Sequence, residues 1–136
     1  MKITIKSTID APIETVWKAW TNPEHITQWN FASDEWHCPS ATNDLKSGGV
    51  FSYRMEAKDG SMGFDFEGTY QTVIEQELIT FSLGDDRLVE VRLSSDGSST
   101  ILSETFEAEG SNTAEQQRAG WSAILENFKK HVEGLA

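Results

Sequence analysis

Cysteine is nearly absent: Cys38 stands alone in 136 residues, so no internal disulfide can form and no cysteine-built zinc cluster is expected. A cytoplasmic setting is the expectation that follows. Positive charge is also scarce, with 11 Lys plus Arg against 22 Asp plus Glu, a formal net charge of -11. That balance repels phosphate backbones and anionic headgroups at long range, so nucleic acid is not an expected partner. No stretch approaches the roughly 20 apolar residues of a membrane span. The opening Met1-Lys2-Ile3-Thr4-Ile5-Lys6 alternates apolar and polar residues instead of offering the apolar run of a secretion signal. His25, His37 and His131 belong to no His-x-x-x-His or Glu-x-x-His pattern, so neither metal nor cofactor is expected. No Gly-x-Ser-x-Gly elbow occurs, and Gly48-Gly49 is followed by no Lys-Ser or Lys-Thr that would make it a phosphate loop.

What the sequence does hold is a long closing helix. From Thr113 to Leu135 the residues Gln117, Trp121, Ile124, Phe128, Val132 and Leu135 recur at three- and four-residue steps, which puts them on one helical face. Glu115, Arg118, Ser122, Glu126, Lys129 and Glu133 fall on the other. Thr113 with Gln116 three residues on predicts a capping box at the start, and Gly134 predicts the end. One apolar face needs a partner surface.

That partner is predicted to be a sheet. Ile3, Ile5, Ser7 and Ile9 alternate with Lys2, Thr4, Lys6 and Thr8, a half-exposed first strand. Asp10 as N-cap and Pro12 in the first turn predict a short helix to about Trp20, carrying Val16, Trp17 and Trp20 inward. Asn22-Pro23-Glu24 repeats the signature for a second short helix with Ile26 and Trp29 inward. Phe31 to Lys46 reads as an irregular or edge strand, interrupted by Pro39. Next come strands over 50–58, 62–75, 78–83, 87–94 and 100–108, with turns at Gly48-Gly49, Asp59-Gly60, Gly84-Asp85-Asp86 and Asp96-Gly97. In the second of these, Met62, Phe64, Phe66, Gly68, Tyr70, Thr72 and Ile74 are expected on one face. Short connections force antiparallel neighbours, and a sheet of this many strands curls.

Several short pieces together carry a resemblance over almost the whole chain. They are Ile9-Asp10-Ala11-Pro12-Ile13-Glu14-Thr15-Val16-Trp17, then Thr21-Asn22-Pro23-Glu24 with Trp29, then Asp44-Leu45-Lys46-Ser47-Gly48-Gly49-Val50-Phe51, then Gly68-Thr69-Tyr70, and last Gly120-Trp121 with Leu125 and Phe128. In this order they resemble the family named for the activator of the heat-shock protein 90 ATPase, within the superfamily of START lipid-transfer domains and polyketide cyclases (SRPBCC). The resemblance implies an α+β helix-grip (Bet v 1-like) fold over 1–136 as one domain, a curved antiparallel sheet holding the C-terminal helix around a cavity. The superfamily carries lipids, binds hormones and polyketides, and in some members catalyses cyclisation or aromatisation, so it implies no single chemistry. The activator that names the family is similar to this sequence only in its C-terminal domain, and 136 residues leave no room for its separate chaperone-binding domain. Chaperone assistance is therefore a third-rank expectation.

The functional expectation is a small hydrophobic ligand, a lipid, polyketide or aromatic compound, held between sheet and helix. Its walls are expected from Trp36, Phe51, Tyr53, Met55, Phe64, Phe66, Tyr70, Trp121, Ile124 and Phe128, since aromatic side chains bury large areas and something must fill the gap. His37, beside Trp36 and Cys38, is an expected polar group near the mouth. Arg92 and Glu104 are expected polar groups within, if their strand faces turn inward. Arg54, opposite Phe51 and Tyr53, is expected in solvent. Cys38 and His37, as neighbours on a strand, point to opposite faces and form no nucleophile and base pair. No catalytic set is evident, and a cyclase or hydrolase would need two polar groups facing one another in the cavity.

Overall fold

The computed structural model describes residues 2–135. Alternating sequence becomes β1 (Lys2–Ile9), with Ile3, Ile5 and Ile9 buried. Two short helices follow, α1 (Ile13–Thr21) and α2 (Pro23–Trp29). At α2 the expected cap is present: the Asn22 side chain accepts from the Glu24 N–H at 2.9 Å, and Pro23 occupies the first turn. At α1 it is not. Pro12 itself is the N-cap residue with no side-chain cap, and Asp10 instead donates its backbone N–H to Glu133 at 2.9 Å, which ties the end of β1 to the end of the last helix.

Six more strands complete the sheet: β2 (Trp36–Asn43), β3 (Val50–Ala57), β4 (Gly63–Ile74), β5 (Leu78–Leu83), β6 (Leu88–Asp96) and β7 (Ser99–Glu107). All pairings are antiparallel and the order is β1-β7-β6-β5-β4-β3-β2. Short connections lay each strand from β3 to β7 beside its predecessor, and β1 joins the far side of β7, leaving β1 and β2 as the two edges. The seven strands curl into a half-barrel, and α3 (Ala114–Glu133) closes it: this is the α+β helix-grip fold. Residues 31–46 do contain an edge strand, and its register shifts between His37 and Ser40, the irregularity that Pro39 forces.

One phase expectation fails. The β4–β5 register shifts between Tyr70 and Thr72, a bulge that turns the strand over. Beyond it Val73 packs against the core and Ile74 is 44% exposed. At the other end of β4, Met62 and Phe64 are exposed although in phase with buried Gly68 and Tyr70.

The last helix starts as its sequence predicts. Thr113 and Gln116 make both bonds of the capping box, at 3.0 and 3.1 Å. Gly134 caps the other end with ordinary right-handed dihedrals, so no left-handed turn is involved. Gln117, polar on an otherwise apolar face, is buried because its amide bonds the Glu109 N–H and the Asn112 carbonyl, pinning the β7–α3 connection. Leu135 is 48% exposed and does not extend the packed face. The helix backbone runs close to β1, α1 and α2 but stands off from the central strands β4 to β6. Long side chains alone reach across, and a gap is left under the helix.

Candidate ligand cavity

The gap is a cavity of about 180 Å³, lined by Trp20, Trp29, Asn30, Phe51, Tyr53, Met55, Phe64, Phe66, Tyr70, Ile79, Phe81, Glu104, Trp121 and Ile124. The sheet supplies its floor through the inward positions of β3, β4, β5 and β7, and the three helices supply its roof. Phe51 and Ile79 are 1% exposed whereas Phe64 is 47% exposed, so the cavity runs from a closed floor to solvent at the β3–β4 hairpin.

An aromatic network fixes the walls. Phe51 packs on Tyr53, Phe66, Tyr70 and Phe81 with centroids 4.9 to 5.7 Å apart. Gly68 makes room for it: a Cβ there would sit 2.5 Å from the Phe51 ring. Trp121 lies flat on Phe106, centroids 4.0 Å apart, and meets Phe66 edge-on at 6.1 Å. In the roof, Trp20 stacks on Trp29 at 4.9 Å, and Phe128 stands edge-on against both. The Trp29 indole N–H donates to the Ala19 carbonyl, locking that ring to α1.

Of the residues expected in the wall from sequence, Phe51, Tyr53, Met55, Phe64, Phe66, Tyr70, Trp121 and Ile124 are there. Trp36 is not; it lies edge-on to Phe64 outside the lining. Phe128 is fully buried behind Trp20 and Trp29, which take the places it was expected to fill. Of the three polar expectations only Glu104 lines the cavity. Arg92 is exposed and paired with Glu90 at 2.8 Å, because the alternation of β6 points Val91 and Leu93 inward instead. His37 is half-buried 3.7 Å from Glu56 on the edge strand. Arg54, as expected, faces outward to Glu56 and Asp65. Trp20, Trp29, Asn30, Ile79 and Phe81 also line the cavity, beyond the residues expected from sequence.

Polar groups in the wall are few and mostly occupied. The Tyr70 hydroxyl donates to Asn43, which in turn donates to the Thr21 carbonyl at 2.7 Å, joining β4, β2 and α1. Burial pushes the Tyr70 phenol up to about 12 despite that bond, and holds Tyr53 well above its ordinary value, with Tyr70 adding to the effect. Both are neutral phenols. The Asn30 amide points to Cys38 Sγ at 4.0 Å, and burial raises that thiol, so Cys38 is no ready nucleophile.

Glu104 is different. It occupies an inward position of β7 between Leu102 and Phe106 and is 7% exposed. Its carboxyl takes no protein partner among the described residues, and its oxygens open onto the cavity space instead of being sealed in the core. Desolvation alone pushes it up to about 8, so at neutral pH the group is a protonated acid facing an apolar space. Among the described residues no cluster of histidine, cysteine and carboxylate fit to hold a metal occurs, and no helix is long and apolar enough to cross a membrane.

A family model described as "Activator of Hsp90 ATPase homolog 1-like protein" matches residues 10–133. Among solved structures, the chain is similar to the AHSA1-like protein from Aeromonas hydrophila, at 47% identity and TM-score 0.94, covering 99% of this chain and 94% of that one. It is also similar to a protein from Cytophaga hutchinsonii, at 48% identity and TM-score 0.85, over 98% and 92% of the two chains. A protein from Chromobacterium violaceum, 21% identical with TM-score 0.87 over 98% of each chain, shares the fold. No curated protein matches.

Proposed function

The chain belongs to the activator of Hsp90 ATPase homolog 1-like family, and on that footing we propose that it is a binding protein whose cavity takes a small, mostly apolar molecule of one or two rings. The observation that carries this reading is the unfilled, largely apolar space of about 180 Å³ between the sheet and α3. An apolar cavity of about 150 Å³ suffices to hold benzene, whereas drug-sized pockets begin near roughly 300 Å³. Size therefore favours a compact aromatic compound over a long acyl chain. A fatty acid is disfavoured for a second reason: among the described residues the wall holds no Lys, Arg or His to pair with its carboxylate.

Binding is favoured over turnover, because Glu104 has no second acid, base or nucleophile across from it other than two neutral phenols. Action as one domain in the cytoplasm belongs to the same proposal, supported by the single sheet and by a lone buried cysteine. The test is uptake of 2-naphthol, a neutral fluorescent two-ring probe. One equivalent is expected to bind, to be displaced by indole, and to be lost in Ile124→Phe, which adds a ring to the roof. No saturable uptake by folded protein would overturn the proposal.

A further inference from the structure

We infer that the guest is a small organic cation, an amine carried on one or two rings, with Glu104 as its counter-ion inside an aromatic enclosure. The inference rests on the cavity reading above and specifies the guest's headgroup. Its first support is the contrast between two polar residues at inward positions of the same strand. Thr100 is fully buried, and its hydroxyl donates to the Ala11 carbonyl at 2.8 Å. Glu104, four residues on, has no such partner among the described residues. Its neighbours in register are Ile5 on β1 and Val91 on β6, both apolar. No protein group among the described residues satisfies the Glu104 carboxyl, and it opens onto the cavity, so a molecule that enters the space is what meets it there.

The second support is what surrounds it. Nine of the fourteen lining residues are aromatic, and ring faces attract ammonium groups, more strongly when desolvated. Among the described residues no lining side chain is cationic, so an anionic guest would meet Glu104 and nothing of opposite sign. Apart from Glu104, the titratable side chains that reach the space from the packed elements are Tyr53 and Tyr70, both neutral, while the helices contribute only Trp20, Trp29, Trp121 and Ile124, with Asn30 just past the end of α2. The net charge of -11 attracts cations to the chain as a whole at long range.

Proton balance gives the inference a signature. The empty cavity holds Glu104 as the neutral acid up to about pH 8. Entry of an ammonium ion converts that acid to carboxylate and releases one proton to solvent, so affinity rises about tenfold per pH unit below that point and levels above it. A neutral guest that merely accepts a hydrogen bond from the acid binds with affinity that is flat below about pH 8 and falls above it.

The experiment uses the full chain and three molecules that share one ring system: tryptamine, tryptophol and indole-3-acetate, titrated calorimetrically from pH 5 to pH 8.5. Tryptamine is expected to bind at least tenfold more tightly than tryptophol at pH 8, to weaken as pH falls, and to release close to one proton near pH 6. Indole-3-acetate is expected not to bind. Glu104→Gln is expected to bind tryptamine and tryptophol alike; should that variant not fold, the pH series on the unaltered chain decides. Tryptophol binding as tightly as tryptamine at pH 8, or tryptamine affinity flat with pH, overturns the cation inference and leaves the apolar cavity standing. Failure of all three to bind overturns the cation inference, and the cavity reading falls with it only if 2-naphthol is not taken up either.

Discussion

The indole of Trp121, on α3, lies parallel to the ring of Phe106, on β7, with planes 9° apart and centroids 4.0 Å apart. This stack is where the last helix touches the sheet across the cavity, at a place where the two backbones do not approach. It acts as a spacer: shorter side chains would let the helix settle and close the gap. Trp121→Ala is expected to cost about 3 kcal/mol in denaturant unfolding, from lost burial and a lost aromatic pair. Phe106→Leu, which keeps most of the volume, is expected to cost less but to weaken 2-naphthol uptake. If both variants unfold like the parent, the stack is not a support.

Gly68 and Phe51 set the depth of the floor. A Cβ on Gly68 would lie 2.5 and 2.6 Å from two atoms of the Phe51 ring and 2.9 Å from the Ser82 carbonyl. Gly68→Ala is therefore expected to destabilise by about 1 to 3 kcal/mol through overpacking. Adding Phe51→Leu should recover part of that loss, since the ring is the nearer obstacle. Equal stability of Gly68→Ala and parent would show that the ring shifts freely.

Glu104 makes stability depend on pH in an unusual direction. Its folded value, about 8, lies above the ordinary 4.5, so between those limits the folded chain holds more protons than the unfolded one. Its contribution to stability is full at pH 4.5 and below, and is lost as pH rises to about 8. From pH 5 to pH 8 the loss is expected to be on the order of 3 kcal/mol. Glu104→Gln should flatten the slope and be the more stable form at pH 8, measured by urea midpoints.

A second titrating contact works the other way. His25 Nδ1 and His131 Nε2 lie 2.8 Å apart, joining α2 to α3, and burial followed by the nearby His25 holds His131 below its ordinary 6.5. The unfolded chain then binds the extra proton first, so stability present above pH 6.5 is lost as pH falls through the folded value. Solvent screening keeps the effect smaller than that of Glu104. In the Glu104→Gln background, where the larger opposing slope is gone, acidification from pH 7 to pH 5 should destabilise. Adding His131→Gln should remove most of that fall.

The architecture was largely legible because periodicity and caps report it locally. Asn22-Pro23, the Thr113–Gln116 pair and the turn glycines each satisfy or free specific backbone groups, and those needs do not depend on distant parts of the chain. The misreadings arise where a distant part decides. Alternation along residues 62–75 places Thr72 and Ile74 on the face of Tyr70, a phase that the bulge at Gln71 reverses, and nothing in those residues announces that bulge. Trp20 and Trp29 were legible as inward, but inward toward the cavity or toward packed core is settled only when α1 and α2 dock beside α3, which also moves Phe128 behind them. Glu104 and Arg92 looked equivalent on paper. Strand phase separates them, since β7 buries Leu102, Glu104 and Phe106 whereas β6 buries Val91 and Leu93.

The most direct measurement is an NMR titration of the isotope-labelled full chain with 2-naphthol, followed at backbone amides and at the indole N–H signals of the five tryptophans. The account predicts a saturable one-to-one response confined to the lining, with the signals of Trp20, Trp29 and Trp121 moving and those of Trp17 and Trp36 still, and with the response abolished in Ile124→Phe. Shifts gathered instead around exposed Met62, Leu88 or Leu135, or a response unchanged in Ile124→Phe, would contradict it.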